Sequence, residues 1–114
     1  MDDETRRKVV GLVGLGARGR LVVVGVKQVR EAARRGTLVF AFVAPDVSRH
    51  SQDKVVPLLE AKGVRYTEGL SAVELGAAVG RETTAAVGVV DLQLAKGIRA
   101  LVDSDPRGSV RRMV

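Results

Sequence analysis

The chain has no cysteine and no tryptophan, one histidine, and only three aromatic residues, Phe40, Phe42 and Tyr66. Each shortage closes a route. Without cysteine there is no disulfide, no thiolate nucleophile and no zinc site built on sulfur, and such usage fits a reducing compartment. The single His50 cannot supply a multi-histidine metal site. So few rings leave little surface for stacking bases, so any nucleic-acid binding must work mainly by another route. No apolar run approaches the roughly 18 residues of a membrane span, and the opening Met1-Asp2-Asp3-Glu4 is acidic where a secretory signal has a basic start. We therefore expect a cytoplasmic location and no membrane partner.

What the chain does have is small and β-branched apolar residues, and positive charge. Hydrophobic residues make up 46% of the 114, and the formal net charge is +6. A chain of this length is one domain by the usual prior and buries roughly two thirds of its unfolded surface. The charge is uneven: residues 5 to 35 hold nine Lys or Arg against the single acid Glu31, whereas residues 36 to 114 hold ten against nine. A basic first third points to a polyanionic partner, while basic surfaces also serve solubility.

Short β-branched runs alternate with helical patterns, the signature of an α/β domain. The expected strands are 20–24, 38–43, 64–67 and 85–90, each near-continuous as in strands covered on both faces. Helices are expected at 26–35, with Gly36 as its stop, and at 51–62 from a Ser51 cap, with Pro57 near its first turn or kinking it. A third runs over 71–79 behind the capping box Ser71 and Glu74, and a fourth over 91–102 behind Asp91. The domain is expected to span 1–102. Beyond it DSDPRGSVRRMV has turn formers and charge but no periodicity, which predicts a flexible basic tail over 103–114.

The first segment is ambiguous. GLVGLGARG contains a G-x-G-x-x-G at Gly14, Gly16 and Gly19, the form of a dinucleotide-binding loop. That loop needs a strand before it, a helix directly after it, and an acid about 20 positions on for the ribose. Lys8 to Val13 could be the strand. However, Gly19 leads into the β-branched run Arg20 to Val24, and 34–42 holds no Asp or Glu. No nucleotide cofactor is expected. The alternative is a helix over Glu4 to Arg18 ending at Gly19, in which each internal glycine costs roughly 1 kcal/mol and needs a closely packed neighbour to justify it.

Four places then form an ordered pattern. They are VVGLVGLGARGRLVVVG; the G-x-K-Q helix start at Gly25, with Gly36 eleven residues on; LVFAFVAPDV at 38–47; and LGAAVG followed by a loop and an apolar strand, 75–90. In order and spacing this resembles the kink-turn RNA-binding ribosomal protein family, the L-seven-Ae superfamily, and within it the small bacterial YlxQ-like proteins. The resemblance covers about residues 5 to 102. It implies a three-layer α/β/α sandwich with a central mixed sheet of about four strands, which grips a sharply bent RNA stem-loop.

The resemblance also implies the contact residues: Gly25, Val26, Lys27 and Gln28 at the helix start, Arg30 and Arg34 further along, and Arg81, Thr83, Thr84 and Ala85 in the loop before the last strand. A helix start offers N–H groups and a positive dipole end to phosphate. Lys27 can donate to phosphate or guanine, and Gln28 can donate and accept at a base edge. Archaeal and eukaryotic members have Asn-Glu where this chain has Lys27-Gln28, and Lys where it has Glu31. Glu31 puts an acid on the contact face, where an i+4 or i+3 pair with Arg35 or Arg34 is the expected arrangement. The implied partner is structured RNA, ribosomal or another kink-turn RNA, with ribosomal or assembly proteins as further partners and a place in translation. The alternative is a protein-interaction or ribosome-assembly factor on the same fold without specific RNA recognition.

An enzyme would need a reacting constellation. Asp46, His50 and Asp53 lie close in sequence, but His50 and Asp53 fall at a helix start, where such residues usually serve as caps or stay solvated. No G-x-S-x-G, P-loop or metal-ligand spacing is present. The expected function is non-catalytic, with no cofactor and no metal.

Overall fold

A computed structural model describes residues 1–104 and the backbone of Val110 and Arg111. In chain order it contains α1 (Asp3–Arg18), β1 (Val22–Val24), α2 (Val26–Arg35), β2 (Phe40–Val43), α3 (Arg49–Ala61), β3 (Tyr66–Thr67), α4 (Ala72–Ala78), β4 (Ala86–Val89), α5 (Leu92–Ser104) and β5 (Val110–Arg111). The strands form one mixed sheet in the order β1-β4-β2-β3-β5. β4 runs antiparallel to both β1 and β2, β2 pairs with β3 in parallel, and β5 adds an antiparallel edge to β3. The sheet therefore has one strand more than the expected four.

Helices cover both faces. Val9 and Val13 of α1, Leu75 of α4, and Ala95, Ile98 and Val102 of α5 pack on Phe40, Phe42, Val87 and Val89. On the other face Val29, Ala32 and Ala33 of α2 and Val55 and Leu59 of α3 pack on Ala41, Val43 and Ala86. Alternate residues of β2 and β4 thus go to opposite layers, and every residue of these two central strands is buried. This is the three-layer sandwich. The edge strand β1 is only half-buried.

The first segment is a helix, so the cofactor-loop pattern does not correspond to a strand–turn–helix. Two of its glycines have packing reasons. A Cβ on Gly16 would lie 2.4 Å from Leu94 Cδ2 and 3.1 Å from Val22 Cγ1, and one on Gly14 would lie 3.3 Å from the Ala78 carbonyl. The helix ends at Arg18, as expected, with Gly19 as its cap. Leu21 N–H donates to Gly16 O at 2.8 Å and Arg20 N–H to Ala17 O at 3.3 Å, the paired bonds of a Schellman motif. The left-handed position of that motif belongs to Arg20, at φ 61°, and Gly19 before it has φ −89°.

Other boundaries move for local reasons. α3 begins at Arg49 because Ser48, rather than Ser51, is the cap: its hydroxyl oxygen accepts from the Ser51 N–H at 3.1 Å. Pro57 lies inside this helix on its exposed side. The Ser71–Glu74 capping box is present. Glu74 also binds Arg6 of α1 at 3.0 Å, and the same guanidinium donates to Gly69 O and Met1 O. Burial raises the Glu74 pKa, but the Ser71 N–H, the Arg6 guanidinium and the Ser71 hydroxyl outweigh it and hold the carboxyl below its usual range.

The first two residues of the tail expected over 103–114 belong instead to α5. Asp103 and Ser104 complete α5, with Asp103 paired to Arg65 at 2.6 Å, and Val110–Arg111 pair with β3. The remaining tail residues lie outside the described ones. No described helix is long and apolar enough to cross a membrane.

Candidate nucleic-acid interface

β1 must turn sharply into α2, and Gly25 makes the turn with φ 94° and ψ 158°, a conformation that costs a residue with a Cβ. Its N–H donates to Ala86 O at 2.8 Å and its carbonyl accepts from Val29 N–H at 3.0 Å. No side chain caps the helix and its first turn holds no acid. The opening N–H groups, which no helix can satisfy from within, are thus left to an outside acceptor. Lys27 and Gln28 stand exposed on this turn and Val26 is half-buried.

Val29, Ala32 and Ala33 anchor α2 on the sheet, leaving a groove on each side. The groove toward α3, about 480 Å³, is lined by Val26, Lys27, Arg30, Arg34 and Lys54. The structure therefore brings Lys27, Arg30 and Arg34 together, and adds Lys54, which sequence reasoning missed because nothing in its local pattern ties it to α2. An Arg30 Nη1–H donates to the backbone carbonyl of Lys54 and so fastens the two helices to each other. The groove on the other side contains Gln28, Glu31, Arg35 and Thr37 beside Val23 and Val90. There Arg35 binds Glu31 at 2.6 Å across one helical turn. The acid is thus turned away from the α3 side and carries its own counter-charge, and Arg34 stays with the cationic groove.

The loop between α4 and β4 reaches the same end of the sheet. Ala86 accepts from Gly25, and Ala85 O accepts from Ala44 N–H at 2.9 Å, so the loop's end sits between the start of α2 and the exit of β2. The loop lies directly on α4, since a Cβ on Gly76 would be 2.7 Å from Thr83 Cα and 2.8 Å from the Glu82 carbonyl oxygen. Arg81 N–H donates to Gly76 O at 2.8 Å and Thr84 N–H to Ala72 O at 3.1 Å. Arg81 and Thr83 are exposed and Ala85 is half-buried. Thr84 is only 8% exposed and its hydroxyl donates to Ala86 O at 3.2 Å, so this side chain serves the loop from inside. Gly80, next to Arg81, shares a hollow of about 360 Å³ with Arg18 on the α1–α4 seam.

Asp46, His50 and Asp53 do not converge on one reacting centre: Asp46 accepts from Ala72 N–H at 2.9 Å, while His50 and Asp53 lie exposed on α3. Among the described residues no group of three or more His, Asp or Glu side chains could hold a metal ion.

The chain is similar to a protein of unknown function from Bacillus halodurans, at 26% identity and a TM-score of 0.79, over 85% of this chain and 98% of that one. It also shares the fold of the 15.5 kD RNA-binding protein of Giardia lamblia, at 20% identity and a TM-score of 0.67, over 90% and 93% of the two chains. Residues 8–98 match the model of the ribosomal protein L7Ae/L30e/S12e/Gadd45 family, a span that takes in every element from α1 into α5. With its three layers, its glycine-started α2 and its loop before β4, the chain belongs to the ribosomal protein L7Ae/L30e/S12e/Gadd45 family.

Proposed function

We propose that this protein binds structured RNA through the start of α2, recognises a kinked stem-loop by shape together with a few base-edge contacts, and does so in the cytoplasm as part of translation. The observation that carries the reading is the uncapped, acid-free start of α2 at Gly25, with Lys27, Arg30 and Arg34 on one side and Gln28 on the other. Open N–H groups and cations suit phosphate, while Gln28 has both a donor and an acceptor for a base edge. With few rings available, shape and backbone contacts have to carry recognition. The Glu31–Arg35 pair supports this, because it lowers the repulsion an isolated acid would exert on phosphate.

Family membership and the fold shared with the Giardia protein favour the same reading, and the narrower likeness to YlxQ-like proteins belongs to it. Arg81 and Thr83 would flank the RNA from the loop. Thr84 would contribute only by holding that loop in place. A titration of the chain with a kink-turn RNA and with a straight duplex, at moderate salt, tests the proposal. Tighter binding of the kink-turn is expected; equal affinity for the two would remove the specific reading.

A further inference from the structure

We infer that the groove between α2 and α3 is a track for a run of phosphates, and that Lys54 on α3 is one of its binding residues. This rests on the RNA reading above and extends it from one helix end to a two-helix surface. The two grooves flanking α2 are similar in size and opposite in character. The one toward α3 sets Lys27, Arg30, Arg34 and Lys54 around Val26, with no carboxylate in its lining. The other contains Glu31 and the arginine that neutralises it.

Like charges gathered along a groove repel one another in the free protein, and a polyanion laid between them removes that repulsion. The cations are also spread out. Lys27 and Arg34 are separated by about 10 Å along the helix axis, which suits a chain of phosphates better than a single small anion. Arg30 has a positioning role: its bond to the Lys54 carbonyl fixes α3 against α2 and sets Lys54 on the far wall. In this arrangement the RNA backbone leaves the start of α2 along the α3 side, and Gln28 faces the opposite side of the helix.

The test is a titration of kink-turn RNA with the full chain over a range of salt concentrations, comparing wild type, Lys54→Ala, Lys27→Ala and Lys62→Ala. Lys62 caps the other end of α3, is exposed and does not line the groove, so its loss controls for net charge. Losing one phosphate contact lowers the slope of log K against log salt by about 1, which corresponds to roughly tenfold weaker binding near 0.1 M salt. Lys54→Ala is expected to show both effects with an unchanged melting curve, and Lys62→Ala neither. If Lys27→Ala weakens binding while Lys54→Ala behaves like Lys62→Ala, the groove inference is overturned and the RNA reading stands. If the wild type does not bind the RNA, both fall.

Discussion

Two glycine-to-alanine changes in helices should have opposite signs, and geometry decides which is which. Gly11 lies exposed in α1, and a Cβ there would meet nothing within 4 Å. Ala at that site should gain the intrinsic helix preference, about 1 kcal/mol. Gly76 in α4 has the same intrinsic gain available, but its Cβ would press on the backbone of Glu82 and Thr83 at 2.7 to 2.8 Å. Backbone cannot rotate away as the end of a flexible side chain can, so the loop must shift by most of an ångström. That strains the Arg81 N–H to Gly76 O bond and the Thr84 N–H to Ala72 O bond. Overpacking of this kind costs about 1 to 3 kcal/mol. Since the propensity term is common to both variants, the gap between them should equal the overpacking cost. For a domain of this size 1 kcal/mol is worth about 4 °C in Tm. Urea unfolding and thermal melts of Gly11→Ala and Gly76→Ala measure it directly: the first should rise by about 4 °C and the second should lie some 4 to 12 °C below the first. Equal stabilisation of both would refute the idea that the loop before β4 rests on α4.

Arg20 holds the left-handed position that ends α1, at a cost of roughly 1 to 2 kcal/mol for a residue with a Cβ. Arg20→Gly should relieve it and, after the added freedom of the unfolded chain, raise the unfolding free energy measured in urea by up to about 1 kcal/mol; a lower unfolding free energy would mean that the side chain makes stabilising contacts. Glu74 titrates below its usual value of 4.5. Because its folded pKa is depressed, its contribution is full above 4.5 and is lost as pH falls through the lowered value. Glu74→Gln should therefore flatten the decline of stability in acid below 4.5 relative to wild type; identical acid profiles would show that the Arg6–Glu74 contact carries no linkage.

Much of the fold could be read in the sequence where local chemistry decides it. The limits of α2 follow from Gly25, from Val29, Ala32 and Ala33 at helical spacing, and from Gly36 in the left-handed stop position. The capping box placed α4 in the same way. The start of α3 differs because two local signals compete, Ser48 and Ser51 both being good caps, whereas the end of α1 falls at Gly19 as expected, with the left-handed position passing to Arg20. The short edge strand β5 has no periodicity to reveal it, because two residues cannot show an alternation. Tertiary facts were the least legible. The glycines of α1 looked like a liability until α4, α5 and β1 were seen to press on Gly14 and Gly16. Lys54 joins the candidate site only because α3 packs beside α2 on the same face of the sheet, a pairing that no spacing within either helix records. The partner of Glu31, by contrast, was readable as an i+4 relation.

The central claim is that RNA lies on the start of α2 and along its α3 side. Backbone amide chemical shifts followed by NMR as a kink-turn RNA is added test this most directly. The largest changes are expected at residues 25–28, at Arg34, and at Lys54 across the groove, with smaller ones in the 80–85 loop. Changes confined to the outer face of α1, α4 and α5, with 25–28 and Lys54 unmoved, would contradict the account.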